Sequence, residues 1–541
     1  MSSWVRRTSA LLMMGVAASA CGGRDAGGVA AQDATTEASS YGDAATVPDG
    51  ALDATTFDAT PVDSAPYDAA LPDAASADAT APDVASIDAS TATDAMANAD
   101  ATDAATADSG GDGSIDVSAV DAPADDARTD SDACGEGGCC PNACTDGDLK
   151  CLGSSLIRCE SVGPDGCMTW GGSQLPCPLG CSNGACVDPI AVTAGNLHTC
   201  ALLSDGTARC WGVNTVGELG NGGATNSPTP VRVLGLAGLT TISAHPSGAH
   251  TCAVTSTGDV SCWGDNQSEQ LSSAATTPFS AVPVTVPSLQ AIGIAAGSGH
   301  TCALLADGSV SCWGDNSSGQ FGNGTTGFSP VPAPATLPAA DATNVAAGDG
   351  YTCDLRSGGG VDCWGKNSSG QLGSGLTTIN YATPQAVASL SSGVTAIATG
   401  ESHSCALLSG GTVECWGDNL SGQLGNNSTA NSETPVAVTG LDGIVTAIAA
   451  GEYHTCAVIS GGEVECWGAN DSGQLGGASS GSSAVPGAVG LPGVATAIGA
   501  GGSHTCAVIA TGDIVCWGAN SYGQLGNGTT TASATPVQVS W

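Results

Sequence analysis

The sequence predicts an all-β protein: a seven-bladed β-propeller of about 51-residue repeats, preceded by a disordered acidic linker and a small disulfide-rich module. A segment that reads HTCAL, a Gly-containing turn and CWG recurs seven times, with steps of 50 to 52 residues between copies. Each copy holds about four short β-favouring runs bounded by Gly, Asn or Pro, and none has an amphipathic helical period. Seven four-stranded units can close radially and leave only short strand edges.

Residues 1–21 are expected to be an export signal. Arg6 and Arg7 precede a short apolar run and small residues that end at Cys21, which is the layout of a secretory signal. The run is too short to span a bilayer. The end resembles the lipobox of bacterial lipoproteins, although Ala18 stands where that motif usually has Leu. We therefore expect lipid attachment at Cys21; the alternative is a cleaved signal that leaves an odd thiol.

Residues 22–133 are predicted to be a disordered linker. They consist mainly of Asp, Ala, Thr, Ser and Pro, as in DATTFDATPVDSAPYDAALPDAASADAT. With almost no large apolar residues, the segment cannot bury enough surface to offset its conformational entropy. We interpret it as a self-repelling tether without a binding role of its own.

Residues 134–189 are predicted to form a cysteine-rich module, because ten cysteines lie between Cys134 and Cys186 among few large apolar residues. Disulfides must substitute for a core at this size. Zinc is a weaker explanation, since the segment has no His and no clean pair of CxxC knuckles. The sequence does not give the pairing, and both a binding role and a stapled spacer remain open.

The charge of the chain excludes polyanionic partners. Ten basic residues against 51 acidic ones give a formal net charge of −41. Residues 191–541 share this bias, with only Arg209, Arg232, Arg356 and Lys366 as cations. Nucleic acid and acidic membrane surfaces are therefore not expected partners.

Residues 190–541 form the predicted propeller. A typical copy reads VTAIATG, HSCALL, a turn, VECWG, the polar loop DNLSGQLGNN, and ETPVAV. These runs supply four strands per copy. Seven nearly complete copies fit without a remainder, and we expect Thr535–Ser540 to fasten the ring by joining the first blade.

The two cysteines of each copy flank a hairpin turn symmetrically. Facing positions on adjacent antiparallel strands bring Cβ atoms within about 4.5–5.5 Å, so a cross-strand disulfide is feasible. Export favours this over the alternative, buried free thiols. The predicted pairs are Cys200 and Cys210, Cys252 and Cys262, Cys302 and Cys312, Cys353 and Cys363, Cys405 and Cys415, Cys456 and Cys466, and Cys506 and Cys516.

The repeats, written GxxHTCAL, GxVxCWGxNxxGQLGNG and TPVxV, strongly resemble those of the regulator of chromosome condensation family. The resemblance spans residues 190–541 and implies a seven-bladed propeller. Functions in that family vary: nucleotide exchange on a small nuclear GTPase, β-lactamase inhibition and ultraviolet perception. An export signal argues against the first, and the lack of arginines around the tryptophans argues against the third. The fold alone therefore does not decide the function.

The repeated histidines and tryptophans are expected to be structural, because a catalytic or metal-binding side chain is normally part of a unique constellation. The histidine position is filled by Tyr351 in the fourth copy, and His245 is the one histidine outside the pattern. The loops at Asp315–Gln320 and Asp418–Gln423 lack the alternating carboxylates and closing Glu of a calcium site. We expect no metal, no cofactor and no catalytic triad.

A binding site should lie where the copies differ. Aromatic residues on rigid loops make interface anchors, and the acidic Glu401 and Glu452 occur near them. The candidate binding residues are Phe279, Phe328, Tyr381, Tyr453 and Tyr522.

The sequence thus predicts a non-enzymatic, protein-binding propeller. We expect it to be exported and lipid-anchored at the bacterial outer membrane or cell surface, as a monomer. An unknown protein or envelope component is the expected partner. The alternatives are an inhibitor of a secreted enzyme and an enzyme that acts on a glycan. Two carboxylates converging on one face would favour the enzyme.

Overall fold

The computed structural model describes residues 148–162, 167–170, 174–272, 277–376, 379–477 and 481–541, all within the compact unit Ala119–Trp541. The predicted export signal, the predicted linker and the start of the cysteine-rich module lie outside these residues. Every regular element in the described part is a β-strand. No helix there is long and apolar enough to cross a membrane.

The described part of the cysteine-rich module has a four-stranded and a two-stranded sheet joined by disulfides. Its strands are β1 (Leu149–Leu152), β2 (Ser155–Val162), β3 (Cys167–Trp170), β4 (Leu175–Pro176), β5 (Cys181–Ser182) and β6 (Ala185–Cys186). Strand β2 pairs with β1, β3 and β4. Disulfides join Cys151 to Cys181 and Cys177 to Cys186, two pairings that the sequence left open.

Seven four-stranded antiparallel sheets follow, and each is a blade whose strands we call A to D in chain order. Blades 1 and 2 are β7 (Pro189–Ala194), β8 (His198–Leu203), β9 (Ala208–Gly212), β10 (Ser227–Arg232), β11 (Leu239–Ala244), β12 (His250–Thr255), β13 (Asp259–Asp265) and β14 (Phe279–Gln290). Blades 3 and 4 are β15 (Gly293–Ala296), β16 (His300–Leu304), β17 (Val310–Gly314), β18 (Ser329–Pro334), β19 (Ala342–Ala347), β20 (Tyr351–Arg356), β21 (Val361–Gly365) and β22 (Tyr381–Ala386).

Blades 5 to 7 complete the ring. Their strands are β23 (Val394–Thr399), β24 (His403–Leu408), β25 (Val413–Gly417), β26 (Ser432–Ala437), β27 (Val445–Ala450), β28 (His454–Ile459), β29 (Val464–Gly468), β30 (Ser483–Val489), β31 (Ala495–Ala500), β32 (His504–Ile509), β33 (Ile514–Gly518) and β34 (Ser533–Gln538). The A strands line a central channel. The all-β, seven-bladed prediction is confirmed.

The prediction for ring closure was wrong. Strand β34 pairs with β33 in blade 7. Blade 1 already has four strands of its own, so Thr535–Ser540 does not add a strand to it. Blades 7 and 1 instead meet through loop hydrogen bonds, such as Gly528 N to the Pro228 carbonyl at 2.9 Å, and through side-chain packing. Trp541 lies edge-on to Trp211 in blade 1, with ring centroids 6.0 Å apart.

The core lies between blades. The tryptophan of each blade is completely buried; Trp313, for example, packs against Cys252, Val254 and Leu271 of the preceding blade. The glycine that follows each tryptophan must be glycine. Gly314 has φ +101°, and a Cβ there would lie 2.6 Å from the Gly299 carbonyl oxygen.

All seven hairpin cysteine pairs are joined by disulfides, with Cα atoms 4.0–4.1 Å apart. The paired residues are direct cross-strand partners, as Cys302 and Cys312 are between β16 and β17. Each bridge is buried at the centre of its blade, so the disulfides join the strands that carry the inter-blade contacts.

Candidate partner-binding face

The ring has two different faces. We call one the loop face; it is formed by the A–B loops (195–197, 245–249, 297–299, 348–350, 400–402, 451–453 and 501–503) and the C–D loops (213–226, 266–278, 315–328, 366–380, 418–431, 469–482 and 519–532). The other, the turn face, carries the short B–C turns and the D–A connections. Neighbouring A–B loops are joined by backbone hydrogen bonds, such as Asp349 N to Glu401 O at 3.4 Å.

Each blade's tryptophan binds the preceding blade. The indole Nε1–H donates to the backbone carbonyl of a glutamine in the preceding C–D loop, as Trp364 does to Gln320 at 2.8 Å. The same geometry closes the ring, where Trp211 donates to the Gln524 carbonyl at 2.9 Å. In blade 2 the acceptor is the carbonyl of Glu218. The tryptophans are therefore inter-blade anchors and are not available to a ligand.

The repeated histidines also join each blade to its neighbour. Thr301 Oγ1 donates to the Gln270 carbonyl at 2.9 Å, so its proton is used, and His250 Nε2–H must donate to Thr301 Oγ1 across 3.0 Å. Burial lowers the pKa of each repeated histidine, to about 3 for His250 and about 4 for His300. The rings are neutral at physiological pH, and their role is to hold blades together.

In blade 4 the inter-blade hydrogen bond is made by a tyrosine instead of a histidine, and a second substitution in blade 5 accommodates it. Tyr351 replaces the histidine, and its Oη donates to the His403 carbonyl at 2.6 Å. The next blade has Ser404 where the six others have threonine, and Ser404 Oγ donates to Tyr351 Oη at 3.1 Å. The longer side chain in blade 4 is thus matched by a shorter one in blade 5.

His245 crosses the central channel. The A–B loop of blade 2 is two residues longer than those of the other blades, with residues 245–249 against, for example, 195–197. The extra length carries His245 Nε2 to within 3.3 Å of the Gly400 carbonyl in blade 5. The side chain is buried, which lowers its pKa to about 4. His245 is therefore a neutral side chain that links blades 2 and 5 at the loop-face end of the channel; we call it the strut.

Three carboxylates converge beside this strut. Asp349, Glu401 and Glu452 occupy the same repeat position, two residues before Tyr351, His403 and His454, so they lie on consecutive A–B loops. Burial, then the neighbouring Glu401 and Asp349 carboxylates, raise the pKa of Glu452 to about 7. Glu401 and Glu452 were predicted from the sequence; Asp349 was not, although the repeat alignment places it at the same position.

One cation already sits at this cluster. Lys366 Nζ lies 2.6 Å from Asp349 Oδ2, and Lys366 is the one Lys or Arg in the loops of the loop face. Those loops carry eight acidic residues: Glu218, Glu269, Asp315, Asp349, Glu401, Asp418, Glu452 and Asp471. Glu401 Oε2 is buried without a hydrogen-bond partner. The loop face therefore carries negative charge that the chain itself does not neutralise.

Phe328, Tyr453 and Tyr522 lie in loops of this face, and Phe279 and Tyr381 begin the D strands that adjoin it. Phe328 is 60% exposed, and Phe279, Tyr453 and Tyr522 are 38–39% exposed. Tyr381, by contrast, is half-buried and packs against the core between blades 4 and 5. Leu420, 76% exposed on the C–D loop of blade 5, is an apolar residue that sequence reasoning missed. The structure thus brings the candidates to one side of the ring but spreads them over several blades.

The polar C–D loops are structured by their own side chains. Gln320 Oε1 accepts from Ser318 N and its Nε2 donates to Asp315, both at 2.9 Å. Asn316 Oδ1 accepts from Phe321 N at 2.9 Å. Turn chemistry therefore accounts for the resemblance of these loops to calcium ligands. In the described part of the chain, no three His, Cys, Asp or Glu residues are placed to hold a metal ion.

Comparison with protein families decides the relationship. Residues 169–487 match the model of the RCC1-like domain, and residues 495–524 and 511–541 match the regulator of chromosome condensation (RCC1) repeat. The chain belongs to the RCC1-like domain family. This confirms the resemblance that the repeats showed.

The RCC1-like propeller has relatives with diverse roles. It is 32% identical over 290 residues to the probable E3 ubiquitin-protein ligase HERC6 of Homo sapiens, covering 53% of this chain and 24% of the relative. It is 30% identical to the ultraviolet-B receptor UVR8 of Arabidopsis thaliana, covering 53% of this chain and 66% of the receptor. It is 29% identical to the E3 ubiquitin-protein ligase HERC2 of Homo sapiens, and the match covers 50% of this chain and 6% of that ligase.

Solved structures agree on the fold. Yeast RCC1 (Prp20) bound to Kap60 aligns with a TM-score of 0.55 and 21% identity, covering 62% of this chain and 83% of that one. Human WBSCR16 aligns with a TM-score of 0.55 and 23% identity, covering 61% and 94%. At these identities the likeness establishes the RCC1-like propeller and nothing about its partner.

Proposed function

We propose that this protein is a non-enzymatic, exported binding protein that presents the loop face of its propeller to a protein partner. RCC1-like propellers serve as protein-interaction scaffolds, and that general role applies to this chain. The face and the compartment are our additions.

The observation that carries the proposal is the coincidence, on one face, of exposed aromatic residues and uncompensated carboxylates. Tyr453 is 38% exposed and directly follows Glu452; partial burial, and then its hydrogen bond to the half-buried Glu401 carboxylate, raise the pKa of Tyr453. Aromatic anchors beside charged groups are typical of binding hot spots. The tryptophans and histidines are committed to the inter-blade contacts, which leaves the loops to carry recognition.

The partner should present positive charge. The loops of the loop face hold eight acidic residues and one lysine, and complementary potentials steer encounter and select partners. A secreted enzyme with a basic rim is one such partner, in which case the propeller would act as its inhibitor.

Export and tethering are supported by the chain's chemistry. Seven buried hairpin disulfides suit an oxidising compartment, and residues 1–21 have the layout of an export signal that ends at Cys21. We propose that a lipid at Cys21 anchors the protein at the bacterial outer membrane or cell surface, and that the acidic residues 22–133 hold the propeller away from the anchor.

Charge-matched variants of the full-length protein test the face. At pH 8, where Glu452 is ionised, Glu401→Gln/Glu452→Gln removes two charges from the loop face, and Asp307→Asn/Asp513→Asn removes two from B–C turns on the turn face. A fluorescent arginine-rich peptide, titrated by anisotropy at fixed salt, serves as the cationic probe. We expect the loop-face pair to weaken binding about tenfold and the turn-face pair to leave it nearly unchanged. Equal losses would show that only net charge matters and would defeat the proposal.

One observation on Glu401 and Glu452 favours the alternative function, an enzyme that acts on a glycan. They lie on adjacent blades, and the raised pKa of Glu452, about 7, is what a general acid needs. Against this, His245 spans the loop-face end of the channel beside them, where a polysaccharide would have to enter. Hydrolysis of envelope polysaccharide by the wild-type chain, abolished in Glu452→Gln, would establish the enzyme in place of the binding protein.

A further inference from the structure

Blade 4 departs from the repeat inside its core. Asp354 on β20 occupies a position that is alanine in the six other blades, and its side chain is only 1% exposed. The six alanines are Ala201, Ala253, Ala303, Ala406, Ala457 and Ala507. A carboxylate has therefore replaced a buried methyl group in one blade of seven.

This position faces the preceding blade. In blade 5, Ala406 and Trp416 pack against Cys353 and Leu355 of blade 4. Cys353 and Leu355 thus point toward blade 5, and Asp354, between them on the same strand, points the opposite way, toward blade 3. The blade 3 side of that interface is the apolar cluster that includes Cys302, Leu304 and Phe321.

The surroundings of Asp354 are acidic. Its cross-strand partner on β21 is Asp362, which is 2% exposed. Asp341, just before β19, is close enough to raise the pKa of both carboxyls. The cation of the group is Arg356, whose Nε lies 3.3 Å from Asp362 Oδ2. Neither carboxylate oxygen of Asp354 accepts a hydrogen bond of good geometry; the backbone N–H of Asp362 lies close enough only to oppose part of the rise in the Asp354 pKa. Three carboxylates thus share one guanidinium, and the guanidinium is placed against Asp362.

The protonated form of Asp354 is therefore favoured in the folded ring. Burial is the main cause and the Asp362 carboxylate is the next; together, and against the opposing effect of Arg356, they raise the pKa of Asp354 to about 7. Burial also raises the pKa of Asp362. An unfolded aspartic acid titrates near 3.9.

We propose that the cluster of Asp341, Asp354, Asp362 and Arg356 makes the interface between blades 3 and 4 pH-sensitive: it is tight when Asp354 carries a proton and loosens when Asp354 is ionised. A neutral carboxyl can lie against the apolar blade 3 cluster, whereas a second unpaired anion beside Asp362 cannot do so without water. The sign follows from linkage. The folded state binds the proton more tightly, so this contribution is full at acidic pH, falls as the pH rises toward 7, and is lost above it.

Hydrogen exchange of the oxidised full-length protein tests the proposal. Protection of the hairpin 351–365 is compared with that of hairpin 403–417 in blade 5 at pH 5.5 and 8.0, after correction for intrinsic exchange rates. We expect protection in blade 4, relative to blade 5, to fall by about tenfold or more at pH 8.0.

Matched variants make the test specific. Asp354→Ala installs the residue of the six sister blades, Asp354→Asn keeps the volume without the charge, and Asp307→Ala removes an exposed carboxylate as a control. Both Asp354 variants should abolish the difference between the hairpins, and Asp307→Ala should retain it. If Asp354→Ala does not accumulate, Asp354→Asn decides alone. An equal pH response of both hairpins in the wild type, or a difference that survives in Asp354→Asn, would overturn the proposal.

Discussion

Tyr351 offers the sharpest test of the inter-blade network. The substitution Tyr351→Phe keeps the aromatic ring of the side chain and removes only its hydroxyl group. The lost contacts are the 2.6 Å bond to the His403 carbonyl, the weaker 3.2 Å contact to the Gly400 carbonyl and the 3.1 Å bond from Ser404.

The size of the effect follows from what remains. The His403 carbonyl still accepts from Gly400 N at 2.8 Å, and Ser404 can still donate to the Gln371 carbonyl at 3.2 Å. No group is left wholly unpaired, so we expect a loss of about 1–2 kcal/mol of unfolding free energy. For a ring of this size that corresponds to a fall in Tm of about 1–3 °C.

The assay is thermal unfolding of the oxidised full-length protein, followed by near-ultraviolet circular dichroism. Tyr351→His should also lower the free energy of unfolding, because the shorter imidazole would face Ser404 instead of the threonine that accepts the histidine hydrogen bond in other blades. Adding Ser404→Thr rebuilds the His–Thr pair of the other blades and should recover most of the loss, with a coupling of about 1 kcal/mol. Strictly additive effects of the two substitutions, or a neutral Tyr351→Phe, would refute the reasoning.

Three further predictions follow from the bridges, the loop face and the anchor. The fourteen hairpin cysteines should resist alkylation without reductant in intact-mass analysis, and Cys405→Ser/Cys415→Ser should cost up to about 3 kcal/mol on the chain-entropy model; ready alkylation would contradict the structure. Binding of the cationic probe should strengthen between pH 6 and 8, because a Glu452 with a pKa of about 7 gains its charge there, and Glu452→Gln should remove that trend; an unchanged pH profile would exclude Glu452. Labelled palmitate should enter the wild type and not Cys21→Ser; equal labelling of both would rule out this anchor.

The sequence predicted the blades because the repeat is a physical unit. Each copy must bury one sheet face against the next, so regular spacing and strand pattern determine the ring. The structural role of the repeated histidines followed from their spacing, and the structure shows that role in His250 and its hydrogen bond to Thr301 of the next blade.

The features that could not be predicted from the sequence are contacts between different copies of the repeat. His245 was recognised as unusual, but only the folded ring shows that a two-residue insertion carries it across the channel to blade 5. Asp354 was visible as YTCDL in place of HTCAL, yet its burial and its pairing with Asp362 required the strand register. The terminal strand was misassigned because a complete first blade cannot be distinguished from one that lacks a strand until the pairing is known.

The central claim, that the loop face meets a protein partner, is tested most directly by site-specific photocrosslinking in intact cells. A benzophenone amino acid is placed at Tyr453 or Tyr522 on the loop face, and at Ile292 or Ile444, which are 61% and 60% exposed on the turn face. We predict a discrete protein adduct from the loop-face positions alone. Adducts from the turn-face positions, with none from Tyr453 or Tyr522, would contradict the account.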